Sequence, residues 1–345
     1  MSQNRAEPVT LAGVAVGLSS LAFGFVQLRP NRLSSGMPFH LWQIGAPIES
    51  LVFLVLLVLA LAVELVAARR LRGAVLDLIR GIIGNLVVVV VVLAAAVGAL
   101  HLQPADKPFA RISFAPGVWI SVLSGYILIL AALKRLKGWR RLTVSLLAIA
   151  VLVVLAATGV LNDLSLMKEY LARRSRFLEQ LSNHITLSLS ATGLAALAGV
   201  PLGIWAFRRL RAERPIFAVV NTLQTIPSLA LFGLLIAPLS LLSHKIPFLR
   251  ALGIEGIGWA PALIALTLYA LLPIARNTYT SLKILDPSLI EAGKGMGMGR
   301  RQLLFSIELP LSLPIILGGL RTSLVQAIGN TAVAALIGAG GFGVF

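Results

Sequence analysis

Apolar runs of about twenty residues alternate with short polar segments along nearly the whole chain. A helix needs about that many apolar residues to cross the hydrocarbon core of a bilayer. The pattern predicts nine membrane spans, near residues 9–28, 48–67, 81–100, 117–133, 142–160, 185–207, 215–242, 259–275 and 312–337. The fold class that follows is an all-α polytopic membrane protein. The run 117–133 is short, whereas 215–242 is long and contains Pro227 and Pro238. Proline is tolerated in a membrane helix where neighbours re-satisfy the freed carbonyl.

The polar segments refine this picture. Residues 161–184 read as an amphipathic helix, with Leu166, Tyr170, Leu171, Phe177, Leu178 and Leu181 opposite a charged face. The first five spans look poor in embedded polar groups, and Glu49 and Glu64 are expected to reach the interface from opposite ends of the second. The later spans carry Asn, Gln, Thr, Pro and Gly, so the chain divides near residue 165. Between the eighth and ninth runs lies a glycine-studded polar insert of about thirty residues, too hydrophilic for lipid. No repeat relates the two halves, which removes the inverted-repeat argument for a secondary transporter.

Composition agrees with the pattern. Of the 345 residues, 58% are hydrophobic and 12% charged, with a mean hydropathy of +0.92. The formal charge of +17 would suggest nucleic acid if it lay on one folded face. Here the basic residues flank apolar runs, as membrane topology requires. With the N-terminus inside, nineteen Lys and Arg fall on inner segments and ten on outer ones, while Arg321 lies within the ninth span. Arg5, Arg69, Arg70 and Arg72 belong to the inner set, and Arg32 and Lys107 to the outer. This orientation places the N-terminus and the insert in the cytoplasm. Trp42 and Trp119 suit an outer aromatic belt and Trp139 an inner one. The run from Val9 to Leu28 is long for a signal peptide and reads as an uncleaved span.

Candidate chemistry is sparse. Cysteine is absent, so there is no disulfide framework or thiolate metal site. His40, His101, His184 and His244 lie toward the outer side without metal-ligand spacing, which suits surface or docking roles. Asn221, Gln224 and Thr225 share one helix face in the seventh span, and Asn330 and Thr331 fall in the ninth. With Asn277 they are candidates for a translocation pathway or for interhelical hydrogen bonding. Arg321 is placed to snorkel as a structural anchor.

The insert has its own local logic. Asp286-Pro287 can cap and start a helix, Gly295, Gly297 and Gly299 demand a turn, and a second helix from Arg300 to Leu309 is expected to end at Pro310. Glu291-Ala292-Gly293, then Gly297, Ile307 and Leu309-Pro310, closely resemble the coupling motif of bacterial ATP-binding-cassette import permeases. Its pattern is Glu-Ala-Ala, three residues, Gly, nine residues, Ile, one residue, Leu-Pro; Gly293 replaces the final alanine. The likeness extends over roughly 183–344. There Gln224-Thr225-Ile226-Pro227-Ser228, the stretch from Tyr269 to Thr278 and Ile337-Gly338-Ala339-Gly340-Gly341-Phe342-Gly343 resemble permeases of glycine betaine, choline and carnitine importers. The five preceding spans resemble the long-N-terminus branch of that family in hydropathy.

The resemblance implies a type I importer core at 166–345, with a coupling segment at 279–310, behind an N-terminal membrane extension at 1–165. It also implies at least one further helix beyond Phe345, so the chain is expected to be C-terminally incomplete. The chain has no Gly-x-x-x-x-Gly-Lys-Ser/Thr phosphate loop of its own. No cofactor or metal is therefore expected here, and ATP and Mg are assigned to two copies of a separate ATP-binding subunit. The other implied partners are a second permease copy and an extracytoplasmic solute-binding protein, in a bacterial inner membrane and without nucleic acid. Glu291 is a candidate for a polar contact with the ATPase or for a structural bond holding the turn. Ala292 and Gly293 would keep the docking surface shallow, Gly297 would make the turn, and Ile307 and Leu309 would anchor the second helix. A compatible solute such as glycine betaine is the expected cargo. A methionine-like amino acid is the neighbouring alternative; an ion-coupled carrier or a membrane enzyme lacks its expected carboxylate pair or catalytic cluster.

Overall fold

The computed structural model describes residues 7–31, 34–67, 73–103 and 110–345. Arg5, Arg32, Arg69, Arg70, Arg72 and Lys107, used above for orientation, lie outside them. The chain divides into two compact units, Met1–Arg173 and Arg174–Phe345. Among the described residues eight helices are long and apolar enough to cross a membrane, and a ninth apolar segment, Pro8–Ala22, is shorter.

The first unit contains α1 (Pro8–Ser19), β1 (Val26–Arg29), β2 (Met37–Phe39), α2 (Pro47–Ala62), α3 (Ala74–Leu102), β3 (Arg111–Phe114), α4 (Pro116–Leu133), α5 (Gly138–Ala157) and α6 (Ser165–Ala172). Its first helical segment ends at Ala22 instead of Leu28. At the α-helical rise it reaches only about 22 Å, against about 30 Å of hydrocarbon. The rest of that apolar run becomes β1, centre of a three-stranded antiparallel sheet ordered β2-β1-β3. The strands are short, so their alternation is lost inside the hydrophobic run.

The central helix α3 meets α4 where both carry glycine. A Cβ on Gly84 or Gly125 would lie 2.7 Å from the other's carbonyl oxygen, a close approach that small residues permit. The Asn85 amide spans both partners of one helical bond in α5. Its Nδ2 donates to Val144 O at 3.0 Å and its Oδ1 accepts from Ala148 N–H at 2.7 Å.

At the ends of these spans lies a buried ion cluster. Arg80, 4% exposed, donates to both Glu64 carboxylate oxygens at 2.8–2.9 Å, to Asp77 at 2.8 Å and to Glu7 at 3.1 Å. Glu64 is therefore held inside the protein by its ion pair. Burying a carboxylate is costly unless a charged donor pairs with it, and Arg80 supplies that donor.

The second unit contains α7 (Arg174–Arg208), α8 (Leu210–Thr225), α9 (Ser228–Lys245), α10 (Pro247–Ala251), α11 (Trp259–Lys283), α12 (Pro287–Gly295), α13 (Arg300–Leu303) and α14 (Leu309–Ala334). The amphipathic stretch 161–184 is not one helix: it breaks at Arg173, and its second part begins the 35-residue α7. The run 215–242 is likewise two helices. Pro227 forces Ile226 into an extended conformation, φ −72° and ψ 127°, which ends α8.

Helix α11 is the hub of this unit. Gly199 and Gly203 of α7 pack against its Ile274 and Thr278, while Gly319 of α14 lies against Pro273 O and Asn277. Ser323 Oγ of α14 donates to Ala270 O at 2.8 Å. These small residues let three helices approach closely.

Candidate coupling segment and its link to the membrane helices

The polar insert folds as helix, turn and helix. The Asp286 side chain accepts from Ser288 N–H at 2.9 Å, and Pro287 opens α12. The Ser288 N–H holds the Asp286 carboxyl below its usual range. At the other end Met298 N–H donates to Gly293 O at 3.0 Å and Gly297 N–H to Lys294 O at 2.9 Å. That bond pair is a Schellman C-cap, with Gly297 at the left-handed position, φ +81°. A side chain there would be strained.

Gly293 does not line an outer docking surface. It is buried, and a Cβ on it would lie 2.6 Å from Leu303 Cδ2 and 2.9 Å from Ile307 Cδ1. It is the point where the two arms of the segment touch, which explains a small residue there. Glu291, Ala292, Gly295, Met296 and Gly297 form the exposed rim. The Glu291 side chain makes no hydrogen bond or ion pair among the described residues, so no side-chain bond from it holds the turn.

The second arm does not stop at Pro310. After α13, residues Leu304–Glu308 form one wide turn in which Leu309 N–H bonds to Leu304 O, five residues back. Helix α14 follows directly, with Pro310 in its first turn. Proline lacks the N–H that would bond four residues back, and the wider turn shifts the bonding to accommodate it. The helical rod therefore runs from Arg300 to Ile337. Leu309 is half-buried at its junction, and Ile307 turns back toward Gly293.

Within that junction lies a residue the motif reading passed over. Glu308 is 2% exposed and forms an ion pair with Arg208, the last residue of α7. A carboxylate in an otherwise apolar run was the available signal.

The six candidate pathway residues are dispersed, and no hydrogen bond joins any two of them among the described residues. Asn221 and Thr225 are exposed on α8, and Thr225 Oγ1 donates to Thr222 O. Gln224 Nε2 donates to Tyr269 O at 2.7 Å. Pro273, four residues after Tyr269, has no N–H to offer that carbonyl, so Gln224 supplies the missing donor. Asn277 and Asn330 are half-buried. Thr331 is fully buried and meets Ser188 Oγ at 3.0 Å, joining α14 to α7. Arg321 is exposed on α14.

The glycine-rich end of the second unit is clamped to α7. Gly341, at φ +89°, donates its N–H to Gln180 Oε1 at 2.7 Å. Phe342 N–H donates to His184 Nδ1 at 3.2 Å. His184 is thus a buried acceptor, which corrects the surface role expected for it. Among the described residues no group of His, Asp and Glu could hold a metal.

Comparison with known proteins decides the family. The model for the binding-protein-dependent transport system inner membrane component matches residues 199–345. The osmoprotectant import permease protein OsmW of Salmonella typhimurium is 45% identical over 51% of this chain and 77% of its own length. The chain belongs to the family of binding-protein-dependent transport permeases. A second model, the N-terminal domain of the ABC transporter permease YehY, matches residues 4–167 of this permease. The carnitine transport permease protein OpuCB of Listeria monocytogenes is 42% identical over 49% of this chain and 70% of its own. One solved structure, an inward-facing MetNI methionine ABC transporter, aligns with a TM-score of 0.43 at 24% identity, covering 50% of this permease and 79% of that chain.

Proposed function

We propose that this permease is the membrane subunit of an ATP-driven importer for a small compatible solute such as glycine betaine. An extracytoplasmic binding protein delivers the solute, and two permease copies form the pathway. ATP and Mg are bound by two copies of a separate subunit, which hydrolyses the ATP, and this chain carries out no hydrolysis itself. The N-terminus and the segment 286–299 lie in the cytoplasm, where the rim of Glu291, Ala292, Met296 and Gly297 docks on the ATPase. Closure of the ATPases on ATP moves the segment as a rigid body and switches access across the membrane. Residues 1–165 form an N-terminal membrane extension, which precedes the permease core at 166–345 in the chain.

The observation that carries this reading is mechanical. An exposed glycine-capped turn is continuous with a helix running to Ile337 and is tied to α7 through Arg208 and Glu308. Motion imposed at the turn would reach two helices of the second unit. Support for the cargo comes from relatives named for osmoprotectant and carnitine transport. The test is uptake by proteoliposomes holding the permease, its ATPase and its binding protein. Glycine betaine should accumulate only with ATP, and an uncoupler should leave uptake intact. Uptake driven by an ion gradient without ATP would overturn the reading, and uptake of methionine in its place would overturn the cargo.

A further inference from the structure

One face of the sheet in the first unit holds donors that nothing in the described residues satisfies. Strands β1 and β3 pair with Gln27 opposite Ser113 and Arg29 opposite Arg111. Side chains two apart on a strand share a face, so these four stand together. The neighbouring set, with Val26 and Ile112, points into the core. Two guanidinium groups directly opposite each other repel, and such a pair persists only where something offsets it. Glu169 of α6 lies 3.7 Å from Arg111, an ion pair longer than a hydrogen bond. Arg29 Nε, Arg111 Nε and Ser113 Oγ are buried and have no hydrogen-bond partner.

Arg29 and Ser113 border a cavity of about 360 Å³ that is also lined by Gln27, Phe114, Trp119 and Glu169, among others. Guanidinium groups only donate, so a ligand that satisfies them must present acceptors, and a carboxylate matches that fork. The other wall differs. Trp119 is 60% exposed, and Phe114 meets it edge-on at 5.6 Å between ring centres. An indole face with a carboxylate nearby suits an ammonium group, above all a quaternary one. We propose that this pocket binds a small zwitterion, its carboxylate on Arg29 and Ser113 and its cationic end against Trp119. The assignment rests on the chemistry of the first unit and stands apart from the transport reading.

The test is equilibrium binding to the full chain in maltoside micelles, without ATPase, binding protein or ATP. Glycine betaine should bind saturably, acetate and choline more weakly. Arg29→Gln should weaken glycine betaine binding by about tenfold or more, and Ser113→Ala by about threefold, as loss of charged and neutral hydrogen bonds does. Trp119→Ala should weaken glycine betaine binding but leave acetate unchanged. Each variant is compared only where its melting profile matches the parent, and Ser113→Ala is the least disruptive. Absence of saturable binding would overturn the proposal. So would binding indifferent to Arg29→Gln and Ser113→Ala, which would place the solute elsewhere. Preference for inorganic phosphate over glycine betaine would point to a lipid headgroup and overturn it as well. None of these outcomes bears on ATP-driven uptake.

Discussion

Arg208 and Glu308 form an ion pair across one hundred residues of sequence, joining the end of α7 to the root of the candidate coupling segment. Glu308 is buried, whereas Arg208 is 40% exposed. The pair therefore has one desolvated partner that depends on a charged donor at the rim. Arg208→Ala should destabilise the permease by about 1–3 kcal/mol, the usual cost of an unsatisfied buried acceptor. It should also loosen transmission, so that ATP hydrolysis persists while uptake falls. Thermal melting and the ratio of solute moved to ATP consumed check this. The exchange Arg208→Glu with Glu308→Arg should recover part of both.

Gly297 should tolerate no β-branched residue. Its φ of +81° would cost Val about 1–3 kcal/mol locally. Gly297→Val should insert into membranes at the normal level and lose uptake. Normal transport by this variant would remove the coupling assignment.

The Gln224 amide should matter for helix integrity more than for cargo choice. Gln224→Ala leaves the Tyr269 carbonyl without a donor and should cost about 1–3 kcal/mol. Pro273→Ala returns an N–H four residues ahead of that carbonyl, so the double variant should be less destabilised than the sum of the singles. A double-mutant cycle by thermal unfolding measures the coupling. A change in solute preference with unchanged melting would favour a pathway role instead.

Acid should weaken the start of α12. Asp286 caps it as a carboxylate, and the Ser288 N–H lowers its pKa in the folded state. The resulting stabilisation is present above the unfolded value of about 3.9 and is lost as pH falls through the lower folded value. Asn caps without titrating. Asp286→Asn should therefore remove the acid sensitivity of this turn, and Asp286→Ala should show the weakened state at neutral pH. Hydrogen exchange at residues 287–292 reads both.

What could be read from the sequence follows the range of the interactions. The Asp286-Pro287 start and the glycine turn rest on bonds between residues within five positions, and their signals sit side by side in the chain. The Gln224 contact with Tyr269 and the Arg208 contact with Glu308 join residues 45 and 100 apart, and nothing local announces either partner. Pro310 misled for a different reason: proline predicts a stop, but the wide turn at Leu304–Glu308 absorbs its missing N–H and the helix continues. Glu64 and Arg80 each look like the charged end of a span, and only packing reveals that they neutralise one another. Val26–Arg29 is too short a strand to stand out from the apolar run that precedes it.

The central claim is that the exposed rim of the 286–299 segment meets the ATPase, and the chain offers a direct way to test it. It has no cysteine, so Glu291→Cys introduces a single reactive thiol on that rim. Permease carrying this substitution, co-expressed with its ATPase in membranes and treated with a short cross-linker that couples a thiol to a lysine amine, should yield a permease–ATPase adduct whose amount changes with ATP. Arg250→Cys, on the opposite side in the proposed topology, should yield none. Failure of Glu291→Cys to form the adduct in an assembled, transporting complex, or an adduct from Arg250→Cys alone, would contradict the account.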